Sequence, residues 1–141
     1  MINRLVRLIL CISVLSMFAA CAHISVDPHS EESLMQRVKK EWVAKVNRDW
    51  GTVYDMGVAE FKNKYDKTNF VRMANIIIDE FNIKDIKIIE PGKKAKAVVD
   101  YKTSHMQYEF NMSASEEWWW EDGEWRLNLS PAMELPFTNK K

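Results

Sequence analysis

A chain of 141 residues, 47% hydrophobic, fits one domain with one compact core and has no room for a second. Its 20 basic and 20 acidic side chains balance, and beyond the first twenty residues a small negative excess remains; this argues against nucleic acid as a partner, since phosphate binding needs a basic surplus on one face. Only four glycines occur, scattered along the chain, so there is no Gly-rich loop to cradle a phosphate.

The opening stretch MINRLVRLILCISVLSMFAAC has the parts of an export signal: Arg4 and Arg7, an apolar run from Leu8 to Phe18, and small residues before a break. A permanent membrane helix needs about 20 apolar residues, and the polar AHISVDPHSEES follows too soon for that. Residues 1–20 therefore read as a signal peptide. Phe18-Ala19-Ala20-Cys21 resembles a bacterial lipobox, whose cysteine takes up diacylglycerol, although Phe18 stands where leucine is usual. Ala20-Cys21-Ala22 also fits ordinary cleavage after Ala22. Cys11 is lost with the signal, so Cys21 is the one thiol left, and acylation accounts for a lone exported cysteine. Alanine rather than aspartate at position 22 favours the periplasmic face of the outer membrane, by resemblance to the lipoprotein sorting rule. Residues 21–30 then form a lipidated tether.

Residues 31–130 form the expected domain, followed by a C-terminal tail over 131–141. Leu34, Val38, Trp42 and Val46 recur every four residues, widened by Met35 and Val43, with Arg37, Lys39, Lys40 and Lys45 elsewhere. This is a one-sided helix capped by Ser30 or Ser33. Asp49 opens a short second helix carrying Trp50, Val53 and Tyr54, which Gly57 closes. A third begins at Asp66 or Thr68, with Phe70, Met73, Ala74 and Ile77 at helical spacing.

After Asn75 the period becomes two, and the chain reads as sheet as far as Leu129. A first strand spans roughly Phe81 to Ile89, with a turn at Pro91-Gly92. The next places Ala95, Ala97, Val99 and Tyr101 on one face and Lys94, Lys96, Asp100 and Lys102 on the other. A turn near Ser104-His105 leads to a strand in which Tyr108, Phe110, Met112 and Ala114 alternate with Glu109, Asn111, Ser113 and Ser115.

EEWWWEDGEWR, Glu116 to Arg126, closes the sheet. Asp122-Gly123 suits a two-residue type I′ turn, because both residues tolerate positive φ. That phase sets Trp120 against Trp125, Trp118 against Leu127 and Glu116 against Leu129, all inward. It leaves Trp119 outside, opposite Arg126, as a cation–π pair or a partner-binding anchor.

Three helices followed by antiparallel strands and a Trp-rich hairpin resemble the nuclear transport factor 2-like superfamily. The likeness is carried by EWVAKVNRDWGTVYDM (Glu41 to Met56) and EEWWWEDGEWRLNL (Glu116 to Leu129), over roughly Glu32 to Leu129. The resemblance implies an α+β fold of N-terminal helices packed on a curved antiparallel sheet, a cystatin-like cone, and a homodimer through the outer sheet face, where Trp119 and Arg126 lie. It spans isomerases, dehydratases, cyclases and domains that bind without catalysing. Such enzymes move protons inside the cone with an acid or histidine and a tyrosine.

Here strand parity sends Glu116 alone among the acids inward. With Asp49 and Tyr54, it completes the weak catalytic candidates for a small lyase or isomerase. The chain therefore reads as a non-catalytic envelope lipoprotein, anchored through Cys21 and binding a small apolar ligand or a protein. Tyr54, Tyr101, Tyr108, Phe110, Met112, Trp118 and Trp120 would line its pocket. A purely structural accessory of an envelope complex, with a filled cone, is the other alternative. No cofactor and no metal is expected, since His23, His29 and His105 do not converge with other ligands. Lys93, Lys94, Lys96 and Lys102 read as a solvated strand face.

Overall fold

The computed structural model describes residues 26–74 and 76–129. The signal peptide, Cys21, His23 and the tail over 131–141 lie outside the described residues. Four helices precede four strands: α1 (Glu31–Val46), α2 (Trp50–Asp55), α3 (Ala59–Lys64), α4 (Lys67–Met73), then β1 (Ile78–Glu90), β2 (Lys94–His105), β3 (Tyr108–Glu121) and β4 (Glu124–Leu127). The strands form one antiparallel sheet in the order β1-β2-β3-β4. The helices pack against it, and the fold is α+β.

Capping follows the side-chain chemistry. Ser30 accepts the Ser33 N–H at 3.2 Å, and Asp66 accepts the Asn69 N–H at 3.0 Å. Asp49 accepts both the Thr52 N–H at 3.0 Å and its hydroxyl at 2.6 Å. Each bond satisfies a donor that the first helical turn leaves without an intrahelical partner. The spacing expected one helix after Gly57, and the chain makes two, α3 and α4. Gly57 is not the cap of α2; Met56 is, with right-handed backbone at φ −78°. Gly57 instead bridges Leu127, and a side chain there would meet the Tyr54 carbonyl at 3.0 Å and Leu129 at 3.1 Å.

The sheet begins at Ile78, earlier than the Phe81 start expected, and β1 carries three irregularities where it pairs with β2. By contrast β2 and β3 pair without a break from Lys94↔Trp119 to His105↔Tyr108. Their turn falls at Met106 and Gln107, φ 48° and 70°, two residues beyond the Ser104-His105 turn expected. The last hairpin keeps the expected phase, with Asp122 and Gly123 at φ 53° and 81°, and Trp118↔Leu127, Trp119↔Arg126 and Trp120↔Trp125 paired.

Small residues on the inner face of β2, Ala95, Ala97 and Val99, let the helices approach the sheet closely. Trp42, Trp118, Trp125, Val38 and Val53 fill the space between, each with at most 1% of its surface exposed. Trp118, Trp125 and Leu127 are core side chains, as large aromatics on the buried face of a small sheet should be.

Candidate functional site

The inward face of α1 is not the stripe that its apolar residues suggested. Met35 and Val43 are 39% and 42% exposed, whereas Leu34, Val38, Glu41, Trp42 and Lys45 are buried. Steps of three and four from Leu34 through Val38 and Glu41 to Lys45 trace one face of a 3.6-residue helix. The helix therefore carries an acid and a base into the core. Lys45 Nζ contacts the Glu41 carboxylate one turn back, reaches Glu116 Oε1 on β3 at 2.9 Å, and lies 4.0 Å from the centre of the Trp42 ring. Glu41 and Lys45 are sealed from solvent, and Glu116 nearly so. Among the described residues, Glu41 Oε2 and Glu116 Oε2 accept no hydrogen bond.

One ammonium neutralises one carboxylate, and the remaining negative charge raises the affinity of Glu41 for a proton. Burial pushes the Glu41 carboxyl up to about 8, with repulsion from Glu116 adding to it and attraction to Lys45 opposing it. Burial by itself would lower the Lys45 ammonium, but the two carboxylates together outweigh it and hold Lys45 above its usual range. Because folding raises Glu41 from 4.5 to about 8, the folded chain binds this proton more tightly than the unfolded chain. Stability must therefore fall as pH rises through that interval and level off above it. The Lys45 contribution is complete below 10.5 and disappears only in stronger alkali. Glu41→Gln should flatten the slope between about 4.5 and 8, which urea unfolding at several pH values would show. A slope unchanged in the variant would count against the buried proton.

The residues singled out from sequence scatter. Glu116 does point inward, but onto Lys45. Asp49 is exposed and committed to Thr52, whose bonds hold its carboxyl below the usual range. Tyr54, proposed for both catalysis and binding, donates its hydroxyl to the Tyr65 carbonyl at 2.6 Å and packs against Phe61 and Phe70. It ties α2 to the turn between α3 and α4 and does not line the sheet. Trp118 is fully enclosed, and Trp120 lies tilted against His29 at 4.1 Å and edge-on to Trp125 at 5.2 Å. Trp118 is therefore a core side chain, and Trp120 is half-buried against its aromatic neighbours.

Trp119 faces outward as expected, but the cation over its ring is Lys94, at 5.3 Å, supplied by the neighbouring strand. Arg126 turns instead to Glu124 at 2.6 Å and to the Asp55 carbonyl at 2.9 Å, because a carboxylate binds a guanidinium more strongly than an indole does. Lys45 and Glu41 were missed because α1 was read by its apolar positions alone. The Glu-Lys pair four residues apart, on the continuation of Leu34 and Val38, was the available signal.

Four of the expected lining residues do share a surface. Tyr101, Met112, Phe110 and Tyr108 stand on the helix-facing side of the sheet, with Tyr101 opposite Met112 and Phe110 opposite Thr103. Trp42 covers only the near end, with its ring 5.1 Å from Tyr101 and 5.8 Å from Phe81. Beyond it, Phe110 is 36% and Tyr108 71% exposed. A shallow groove of about 440 Å³ crosses β1, β2 and β3 at the Phe81-Tyr101-Met112 row. Most of its lining comes from the flanking rows Glu80-Lys102-Asn111 and Asn82-Asp100-Ser113, whose side chains stand on the opposite face of the sheet from Tyr101 and Met112, so it is not a hollow of the apolar face. Lys102 pairs with Glu80 at 2.6 Å on its border.

Among the described residues no group of His, Cys, Asp and Glu is arranged to hold a metal, and no helix is long and apolar enough to cross a membrane. No family model and no curated protein matches the chain. Among solved structures, the solution structure of a SEC-C motif containing protein from Rhodopseudomonas palustris is similar, with a TM-score of 0.56 and 15% identity. The match covers 74% of this chain and 80% of that one. At that identity the likeness is one of fold.

Proposed function

We propose that this chain is a lipid-anchored envelope protein whose domain, of the nuclear transport factor 2-like kind, binds a small apolar ligand or a partner segment without catalysing a reaction. One observation carries the binding reading. The inward titratable groups Glu41, Lys45 and Glu116 are closed to solvent and spent on one another, while the aromatic and Met row on the same sheet face runs on past the helix cover. A general base must come within hydrogen-bond reach of its substrate, and buried Glu41 does not. The exposed end of this row, at Tyr108, offers apolar contact area. The anchor reading rests on the signal-like start and on Cys21.

Native mass spectrometry of the protein purified from its host tests both parts. The expected spectrum shows a diacylglyceryl group on Cys21 and a co-purifying apolar molecule that Met112→Glu removes. Membrane attachment that survives Cys21→Ser would refute the anchor. A turnover that depends on Glu116 would replace binding with the lyase or isomerase reading.

A further inference from the structure

The two halves of α1 are held on the sheet by different means. Among the described residues, two of its side chains bond a strand. Arg37, in the first half, donates to the Trp125 carbonyl at 3.2 Å and pairs with Glu124 at 2.8 Å, at a partly exposed site at the start of β4. Lys45, two turns on, reaches Glu116 of β3 from inside the core. Glu41 converges on the same ammonium, and Glu41 Oε2 and Glu116 Oε2 have no donor among the described residues.

Nothing around the cluster supplies a second cation. β2 sets Ala97 opposite Glu116 and brings up Tyr101, whose phenol burial holds above its usual range with Lys45 opposing. The titratable side chain of α2 on this side, Tyr54, gives its hydroxyl to the Tyr65 carbonyl. β1 and β4 face the core with apolar side chains. Ionising Glu41 therefore leaves an uncompensated charge in the interior, which admitting water relieves.

Immediately beyond Lys45 the backbone is strained. The Arg48 N–H donates to the Lys45 carbonyl at 3.0 Å and the Asp49 N–H to the Ala44 carbonyl at 2.8 Å, the paired closure that commonly ends a helix on glycine. Here the left-handed position belongs to Arg48, at φ 58°, and a Cβ makes that conformation costly. The last turn of α1 is thus joined to α2 through a residue whose strain is released when the turn opens.

We propose that Glu41, Lys45 and Glu116 form a proton-operated latch between α1 and β3. With a proton on Glu41, the second half of α1 is clamped to the sheet; once that proton leaves, residues 42–46 open locally about Arg48 while the sheet stays folded. Trp42 rides on the moving segment, so opening withdraws its ring from Tyr101 and Phe81. The latch needs no ligand and stands apart from the binding reading.

Amide hydrogen exchange in the full chain tests it. Each opening releases a proton as Glu41 passes from about 8 in the closed form towards 4.5 in the open one. Corrected for base catalysis of exchange itself, protection of the amides of residues 42–46 should fall about 50-fold between about pH 6 and pH 8, then level off. Amides of the central strand β2 should stay better protected. They alone should respond strongly to low urea, because only global opening exposes a large surface. Glu41→Gln keeps the shape of the protonated acid and should abolish the pH dependence. Arg48→Gly removes the strain and should make opening rarer at every pH while keeping the slope. Protection lost equally from α1 and β2 in the parent chain would mean that the proton acts through global unfolding, and would overturn the latch without any variant. So would protection that is flat with pH, a slope that survives Glu41→Gln, or opening that Arg48→Gly leaves unchanged.

Discussion

Replacing Lys45 with methionine should destabilise the domain by about 3–5 kcal/mol, the usual cost of removing one partner from a buried ion pair. Glu41 and Glu116 would then face each other in the core with no cation between them, since Lys45 is the cation that both contact. Urea unfolding at neutral pH measures the loss. The same variant should recover stability in acid, where a proton on each carboxyl substitutes for the ammonium. Replacing all three residues by apolar ones of similar volume should come close to the parent, because the cost of desolvating the ion pair offsets most of its attraction. If Lys45→Met cost less than about 1 kcal/mol, in the range of an exposed pair, water would have to reach these groups and the sealed geometry would be wrong.

Trp118→Ala should cost about 3–5 kcal/mol, as large aromatic deletions in a core do. Its side chain has no exposed surface, between Ala95 on one strand and Leu127 on the other. The neighbouring Trp119→Ala should cost less, about 1–2 kcal/mol, since that ring is only partly buried against the core and also loses its Lys94 partner. Thermal or urea unfolding of the two variants side by side measures how differently adjacent indoles are used. Equal losses would mean that the strand does not alternate as described.

Much of the final hairpin was legible in the chain because its determinants are local. Asp122-Gly123 tolerates positive φ at both turn residues, and a period of two assigns every side chain beyond it to a face. The caps at Ser30, Asp49 and Asp66 were legible for the same reason, since each side chain bonds an amide three residues on. Strand starts and the split between α3 and α4 were not. There, packing against distant elements outweighs weak local preference.

The sequence by itself determined the α+β order of elements, the phase of the tryptophans and the inward aim of Glu116, since all three follow from short-range periodicity and turn chemistry. Only the tertiary structure decided that α1 turns Glu41 and Lys45 into the core, that Glu116 meets an ammonium there, and that Tyr54 is occupied elsewhere. The helix rotation that buries Lys45 becomes favourable only when a strand 71 residues away supplies a second carboxylate. A charged side chain can enter a low-dielectric interior only if its partners arrive with it, and their arrival is a property of the fold, not of any local stretch of sequence.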